Sequence, residues 1–283
     1  MNTPKITILI ANYNNGHFFK DCFNSLITQT EQNWEAIVID DCSTDNSVEI
    51  IKSLIAEDSR FRFFKNEKNI GYQKSLIRGI ELSEAPIFAR LDPDDALKPK
   101  AIELSLEAFG SNNEIGMTYT GFIFCDEKLN ELKEHHCKQI ESLNTDYYGF
   151  RGEISHFACF RKEVYNKTTG IDTFIKRAED KDIYMKMCEI AEVKLIDNPQ
   201  YLYRIHSGGV SNNKNSEKAL FWHWVALIKM AERRNINIED LFIEHYIPKN
   251  KYLQLEYKIN SLKKSRLLKL LYKLGIFKAY KYL

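Results

Sequence analysis

The sequence has no Cys-x-x-Cys pair. Its six cysteines, Cys22, Cys42, Cys125, Cys137, Cys159 and Cys188, are widely scattered, which argues against a zinc site. The scatter fits reduced, mostly buried thiols in a cytosolic protein better than a disulfide framework. No stretch approaches the roughly 20 apolar residues of a membrane-spanning helix. The opening MNTPKITILIANYNNG has too short an apolar run for a secretion signal and runs directly into a strand pattern, so a cytoplasmic protein is expected. Internal repeats and low-complexity segments are lacking too. So is an excess of one charge: 40 Lys/Arg against 39 Asp/Glu give a formal +1, and no global field argues for nucleic acid.

The balance hides an asymmetry. Residues 249–283 carry ten Lys/Arg and a single acid, Glu256, a net +9, which leaves −8 on the rest. A basic tail on an acidic body suggests an interaction surface. With 283 residues, 44% of them hydrophobic, the chain can build one large core, or a domain plus an appendage.

An apolar, β-branched run at 5–11 and further runs at 35–40, 60–65 and 87–91 read as strands. Helical patterns separate them at 17–29, 47–56 and 72–82, the first with Phe18, Cys22 and Leu26 on one stripe and the second with Thr44 or Asp45 as its N-cap. This alternation predicts a mostly parallel sheet covered by helices on both faces. Three strand ends carry polar clusters: Asn12–Asn15, Asp40–Asp45 and the carboxylates Asp92, Asp94 and Asp95. One such end is turn chemistry; three on one edge of an open α/β sheet make a ligand site. Pro93 cannot donate to a ladder, so pairing should stop there. Close carboxylates repel, and a hard divalent cation relieves that repulsion through oxygen ligands that a diphosphate can complete.

The ordered set ILIANYNNGHFFKDCFNSLITQT, WEAIVIDDCSTDNS, NIGYQKSLIRGI, FARLDPDD, AEDKDIYMKM and YLYRIHSGGVS resembles a family-2 inverting glycosyltransferase of the GT-A fold, of the bacterial surface-glycan type. The resemblance covers roughly residues 6–211 and implies a Rossmann-like α/β catalytic domain over 1–211, with a helical C-terminal extension over 212–283. It implies transfer of a sugar, hexosyl or N-acetylhexosaminyl, from a nucleotide-sugar, UDP-linked by the Asp41 match, with Mn2+ or Mg2+ as cofactor. The acceptor would be a hydroxyl of a glycan or lipid-linked molecule, as in polysaccharide biosynthesis at the cell envelope. Ala11, Tyr13, Asp41 and Asn69 would hold the nucleotide, with the Tyr13 ring stacked on the base and Asp41 accepting an imide N–H. Asp94 would be the metal ligand, with His206 presented to the metal or diphosphate. Asp92 would contact ribose or sugar or reach the metal through water, Asp95 would contact sugar hydroxyls or cap the next helix, and Arg204 and Ser211 would contact the phosphates. Asp180, in the Glu-Asp-x-Asp-like start of a helix, would be the base that takes the acceptor proton, with Glu179 and Asp182 supporting it. His156 is open between an acceptor contact and a core histidine. His135, His136 and Cys137 read as a solvated stretch.

Beyond 211 the alternation stops. Residues 216–234 read as a helix whose Trp222 and Trp224 are packing anchors or, alternatively, an acceptor platform. Farther on, Tyr252, Leu255, Ile259 and Leu262 keep helical spacing, then Leu267, Leu270, Leu271 and Leu274, with Lys263, Lys264, Arg266, Lys269 and Lys273 largely off that stripe. Such a segment can lie on the inner face of an anionic membrane, pair with a second copy, or pack on its own domain. Two other functions compete. A catalytically inactive glycan-binding or scaffold protein is disfavoured by intact Asp41, Asp94 and Asp180. A sugar-1-phosphate nucleotidyltransferase would want a Gly-rich phosphate loop with an Arg, which 12–16 does not supply.

Overall fold

The computed structural model describes residues 3–140, 153–206, 216–237, 239–240, 243 and 249–282. It has two compact units, Met1–Met230 and Ala231–Leu283.

The first unit is an α/β fold around one sheet. Strand β1 (Ile6–Asn12) pairs in parallel with β2 (Trp34–Asp40) on one side and β4 (Ile87–Arg90) on the other, and β2 with β3 (Phe61–Lys65). Every residue of β1 and β2 is buried. This is why they read as unbroken apolar runs: helices cover both faces of the parallel half. Helices α1 (Phe19–Ile27), α2 (Ser47–Ile55) and α3 (Tyr72–Leu82) make the crossovers. The other half is mixed. It contains β5 (Ala96–Leu97), β6 (Ile115–Cys125), β7 (Glu131–His135), β8 (Cys159–Arg161) and β9 (Glu192–Arg204), with α4 (Ala101–Ser111), α5 (Lys162–Tyr165) and α6 (Glu179–Cys188). The order is β3-β2-β1-β4-β8-β6-β9-β5, with β7 on β6. Strands β5, β7 and β8 run against the other six. Helix α7 (Ser216–Arg233) follows β9.

Three local expectations change. The α1 stripe is Phe19, Cys22 and Leu26, because the helix starts one residue after Phe18. That frees the Phe18 ring to pack against His206, with centroids 4.7 Å apart. The N-cap position of α2 is Asn46, although the Asp45 carboxylate still accepts the Ser47 N–H at 2.9 Å. Cys137 is buried, its thiol 3.3 Å from the Thr120 carbonyl, because β7 folds back along β6. His136 is exposed and pairs with Glu134 at 3.1 Å.

In the second unit, helices Lys249–Lys264 and Arg266–Lys273 are separated at Ser265, whose hydroxyl caps the second by accepting the Leu268 N–H. Gly275, at φ 74°, ends it. Leu267, Leu270 and Leu274 are exposed. No helix among the described residues is long and apolar enough to cross a membrane.

Candidate active site

The ends of β1, β2 and β4 open into a cleft of about 550 Å³. At its floor, β4 makes its last ladder contact through the Leu91 N–H to the Leu9 carbonyl at 3.0 Å. The Asp95 N–H then bonds back to the Asp92 carbonyl at 3.1 Å, and this tight turn splays the three carboxylates. Asp92 accepts from the Tyr72 hydroxyl at 2.7 Å. Asp94 meets His206 Nε2 at 2.8 Å; since a carboxylate can only accept, Nε2 carries the proton in that contact. Burial, then the neighbouring Asp92 charge, raises the Asp94 pKa.

Asp95 turns inward. It is 2% exposed, and its two oxygens accept from the Tyr201 hydroxyl at 2.7 Å and the Arg204 N–H at 2.8 Å. Burial, with Asp94 and Asp92 adding to it, raises its pKa well above the usual carboxylate range. Asp95 still lines the cleft, and its oxygens clamp β9 to the Asp92–Asp95 turn. Arg204 lines the cleft as well. Its guanidinium donates to the Asp94 carbonyl at 2.6 Å, to the Glu127 carbonyl and to Asp21 at 2.7 Å, and lies 4.7 Å over the Phe18 ring. At 3% exposure, it ties the turn to Asp21 and to the Glu127 carbonyl. Ser211 lies outside the described residues.

The opposite wall comes from α6. Its first residues, Glu179 and Asp180, follow Ala178, held in the left-handed region at φ 61°. Between them and the floor sits Arg90, the last residue of β4, a site residue that the sequence reading passed over. Its guanidinium is 3.2 Å from Glu179, 3.9 Å from Asp180, 4.0 Å from Asp92 and 3.3 Å from His156 Nε2. Burial would raise Asp180, but Arg90, Lys181 and His156 outweigh it and hold the carboxyl below its usual range. Burial and the Asp180 charge push Glu179 up to about 7, against the pull of Arg90. His156 is lowered to about 4 by burial and then by Arg90, which keeps it neutral, and it stacks on Tyr201 with centroids 4.7 Å apart. The signal for Arg90 was its position: a charged residue closing an apolar strand beside three aspartates.

At the far end, Ala11 and Asn69 line the cleft, and Tyr13 stands at its mouth, 46% exposed. Asp41 lines it too, and it accepts from Asn66 Nδ2, Ile70 N–H and Gly71 N–H, each at 2.8 Å. It thus ties the end of β2 to the loop that starts α3. A carboxylate has about four lone-pair sites, so one remains for a further donor. Asp182 faces away from this work, buried in an ion pair with Lys186 at 2.6 Å.

Among the described residues, no group of three or more His, Cys, Asp or Glu side chains gathers closely enough to hold a metal ion unaided. Asp94 and His206 lie side by side, and a cation taking both would displace the Nε2 proton between them; burial and then the Asp92 charge, which raise the Asp94 pKa, are opposed by such a cation. That pair would give a divalent cation two protein ligands.

The sheet and its helices match solved structures of the GT-A fold class. Residues 7–169 match the family model described as glycosyl transferase family 2. The chain belongs to that family. It is 28% identical over 214 residues to the chondroitin synthase of Escherichia coli, an alignment covering 75% of this chain but 30% of that protein's length. Its fold resembles residues 1–349 of Staphylococcus aureus TarS, solved with UDP (TM-score 0.63, 16% identity, 92% of this chain and 78% of that one). It also resembles a mannosyltransferase of Pyrobaculum calidifontis, solved with GDP-Man and Mn2+ (TM-score 0.67, 14% identity, 100% and 83%).

Proposed function

We propose that the protein is a metal-dependent inverting glycosyltransferase. It moves a hexosyl or N-acetylhexosaminyl group from a UDP-linked donor to a hydroxyl of a glycan or lipid-linked acceptor. The observation that carries the proposal is the cleft itself, where the ionised Asp180 faces the Asp92–Asp94 floor across Arg90. The uracil lies against Tyr13, with its imide N–H on the remaining Asp41 acceptor site. Asp92 takes a ribose or sugar hydroxyl. Asp94 and His206 hold a divalent cation, Mn2+ or Mg2+, which when bound neutralises charge on the departing diphosphate.

Asp180 accepts the proton of the acceptor hydroxyl as its oxygen attacks the anomeric carbon. The bond from that carbon to the diphosphate oxygen breaks on the opposite face, and the nucleoside diphosphate leaves with the bonding electrons. An α-linked donor thus gives a β-linked product. Calorimetry with UDP and GDP, with and without Mn2+, tests the donor side. UDP should bind more tightly, and only with the cation; equal affinities would remove the Asp41 assignment, and binding without metal would remove Asp94 as a ligand. Proton NMR of the product's anomeric centre tests inversion.

A further inference from the structure

Beside the cleft is an aromatic cluster that the proposed chemistry does not use. We propose that Phe174, Phe221 and Trp222 form an acceptor subsite, a shelf on which a pyranose ring of a glycan stacks while a hydroxyl of the same glycan reaches Asp180. This rests on the glycosyl transfer proposed for the cleft. The rings touch: Trp222 meets Phe174 edge-to-face at 5.5 Å and Phe221 at 5.4 Å. Phe174 is 63% and Phe221 59% exposed. Trp224 is buried, whereas Trp222 is half-buried beneath the exposed Phe174 and Phe221 rings.

The exposure of Phe174 is imposed by well-anchored neighbours. The Asp172 carboxylate accepts the Phe174 N–H at 2.8 Å and pairs with Lys229 of α7. Ile175 is fully buried, and its carbonyl accepts from Gln73 Nε2 at 2.9 Å. Lys229 also lies 5.1 Å from the Phe174 ring centroid. A loop pinned on both sides that still holds a phenylalanine in water marks a binding surface.

Residues that flank the shelf in the chain reach the cleft. Lys176, two residues after Phe174, and Ala219, one helical turn before Trp222, both line it. His223, adjacent to Trp222, is lowered to about 4 by burial and by Lys181, with Asp180 opposing. A pyranose has an apolar C–H face that packs on aromatic rings, while its hydroxyls point outward to polar groups. Stiff aromatic side chains also lose little conformational freedom on binding.

Saturation-transfer NMR on the full chain tests the shelf, with chitotetraose, cellotetraose and maltotetraose as probes. The expected result is transfer from protein aromatic resonances to the ring protons of at least one probe. Affinity should fall about tenfold in Trp222→Ala and Phe174→Ala and stay within about twofold in Trp222→Phe, with UDP affinity unchanged in all three. No transfer to any probe, or equal affinity in the alanine variants, overturns the proposal. Quenching of the same resonances by phosphatidylcholine vesicles but by none of the sugars overturns it in favour of an acyl chain. Loss of a dimer mass in Trp222→Ala without any sugar binding overturns it in favour of self-association. If the shelf binds sugar but no nucleotide binds the protein, the shelf stands and the proposed transfer fails.

Discussion

Asp92, Asp94 and Asp95 are near neighbours with three different surroundings, and their consequences separate accordingly. Asp95 holds two buried donors, so Asp95→Ala should destabilise the protein by about 1–3 kcal/mol for each group left unpaired, read as a lower urea midpoint. The effect should appear even without nucleotide. Across the cleft, Asp180→Asn should lower transfer by roughly 10²–10⁴-fold, the usual worth of a positioned base, with UDP affinity kept. A collapse of nucleotide affinity would instead make Asp180 a structural group. Glu179 adds a pH dependence. Its folded pKa of about 7 lies above the ordinary 4.5, so lowering the pH through about 7 protonates it. Arg90 is then left to Asp180, whose basicity drops, and transfer should fall on the acid side of 7. Glu179→Gln should remove that limb from the pH–rate profile and leave a lower, flatter rate between pH 6 and 8.

At the level of elements, the nucleotide end depends on how α3 begins. Gly71 precedes it at φ 92° and ψ 156°, a conformation essentially restricted to glycine. Its N–H and that of Ile70 both point at Asp41. Gly71→Ala should therefore cost about 1–3 kcal/mol and weaken UDP binding as well, because the strained loop would release the Asp41 carboxylate. Unfolding curves and calorimetry on the same sample check both. Strand β9 has a comparable role on the floor: Tyr201 and Arg204, three residues apart, hold Asp95 from one side and the Asp94 carbonyl from the other. A long strand of 13 residues can do this because its end is fixed by pairing with both β5 and β6.

At the scale of the whole molecule, charge is divided unevenly: +9 over residues 249–283 against −8 elsewhere. Each basic residue near an anionic surface contributes about 1 kcal/mol, and the exposed Leu267, Leu270 and Leu274 add apolar area to that term. A chain ending at residue 248 should keep UDP affinity and lose co-sedimentation with phosphatidylserine vesicles at moderate salt. Parent protein that fails to sediment with those vesicles would remove the membrane reading of the tail. A fall in oligomer mass on truncation would point to pairing between copies instead.

The amino-acid sequence by itself determined the elements and the list of candidate groups. Continuous β-branched runs can be buried only in a two-sided sheet, and polar residues at their ends have nowhere to go but the sheet edge. Hence β1 to β4, the three polar strand ends and the helix opening at Glu179 were legible, since each is a local pattern. What only the tertiary structure decided is which partners each of those groups meets at the cleft. Asp94 and Asp95 are adjacent in the chain, yet one meets His206 and the other Tyr201, partners more than a hundred residues away. Arg204 lines the cleft while donating to Asp21 and two carbonyls, and Arg90 reads as the end of a strand while it joins the acids of floor and wall. Hydrogen-bond demand is settled by whichever partners the packing delivers, and those partners come from strands and helices that no local window contains.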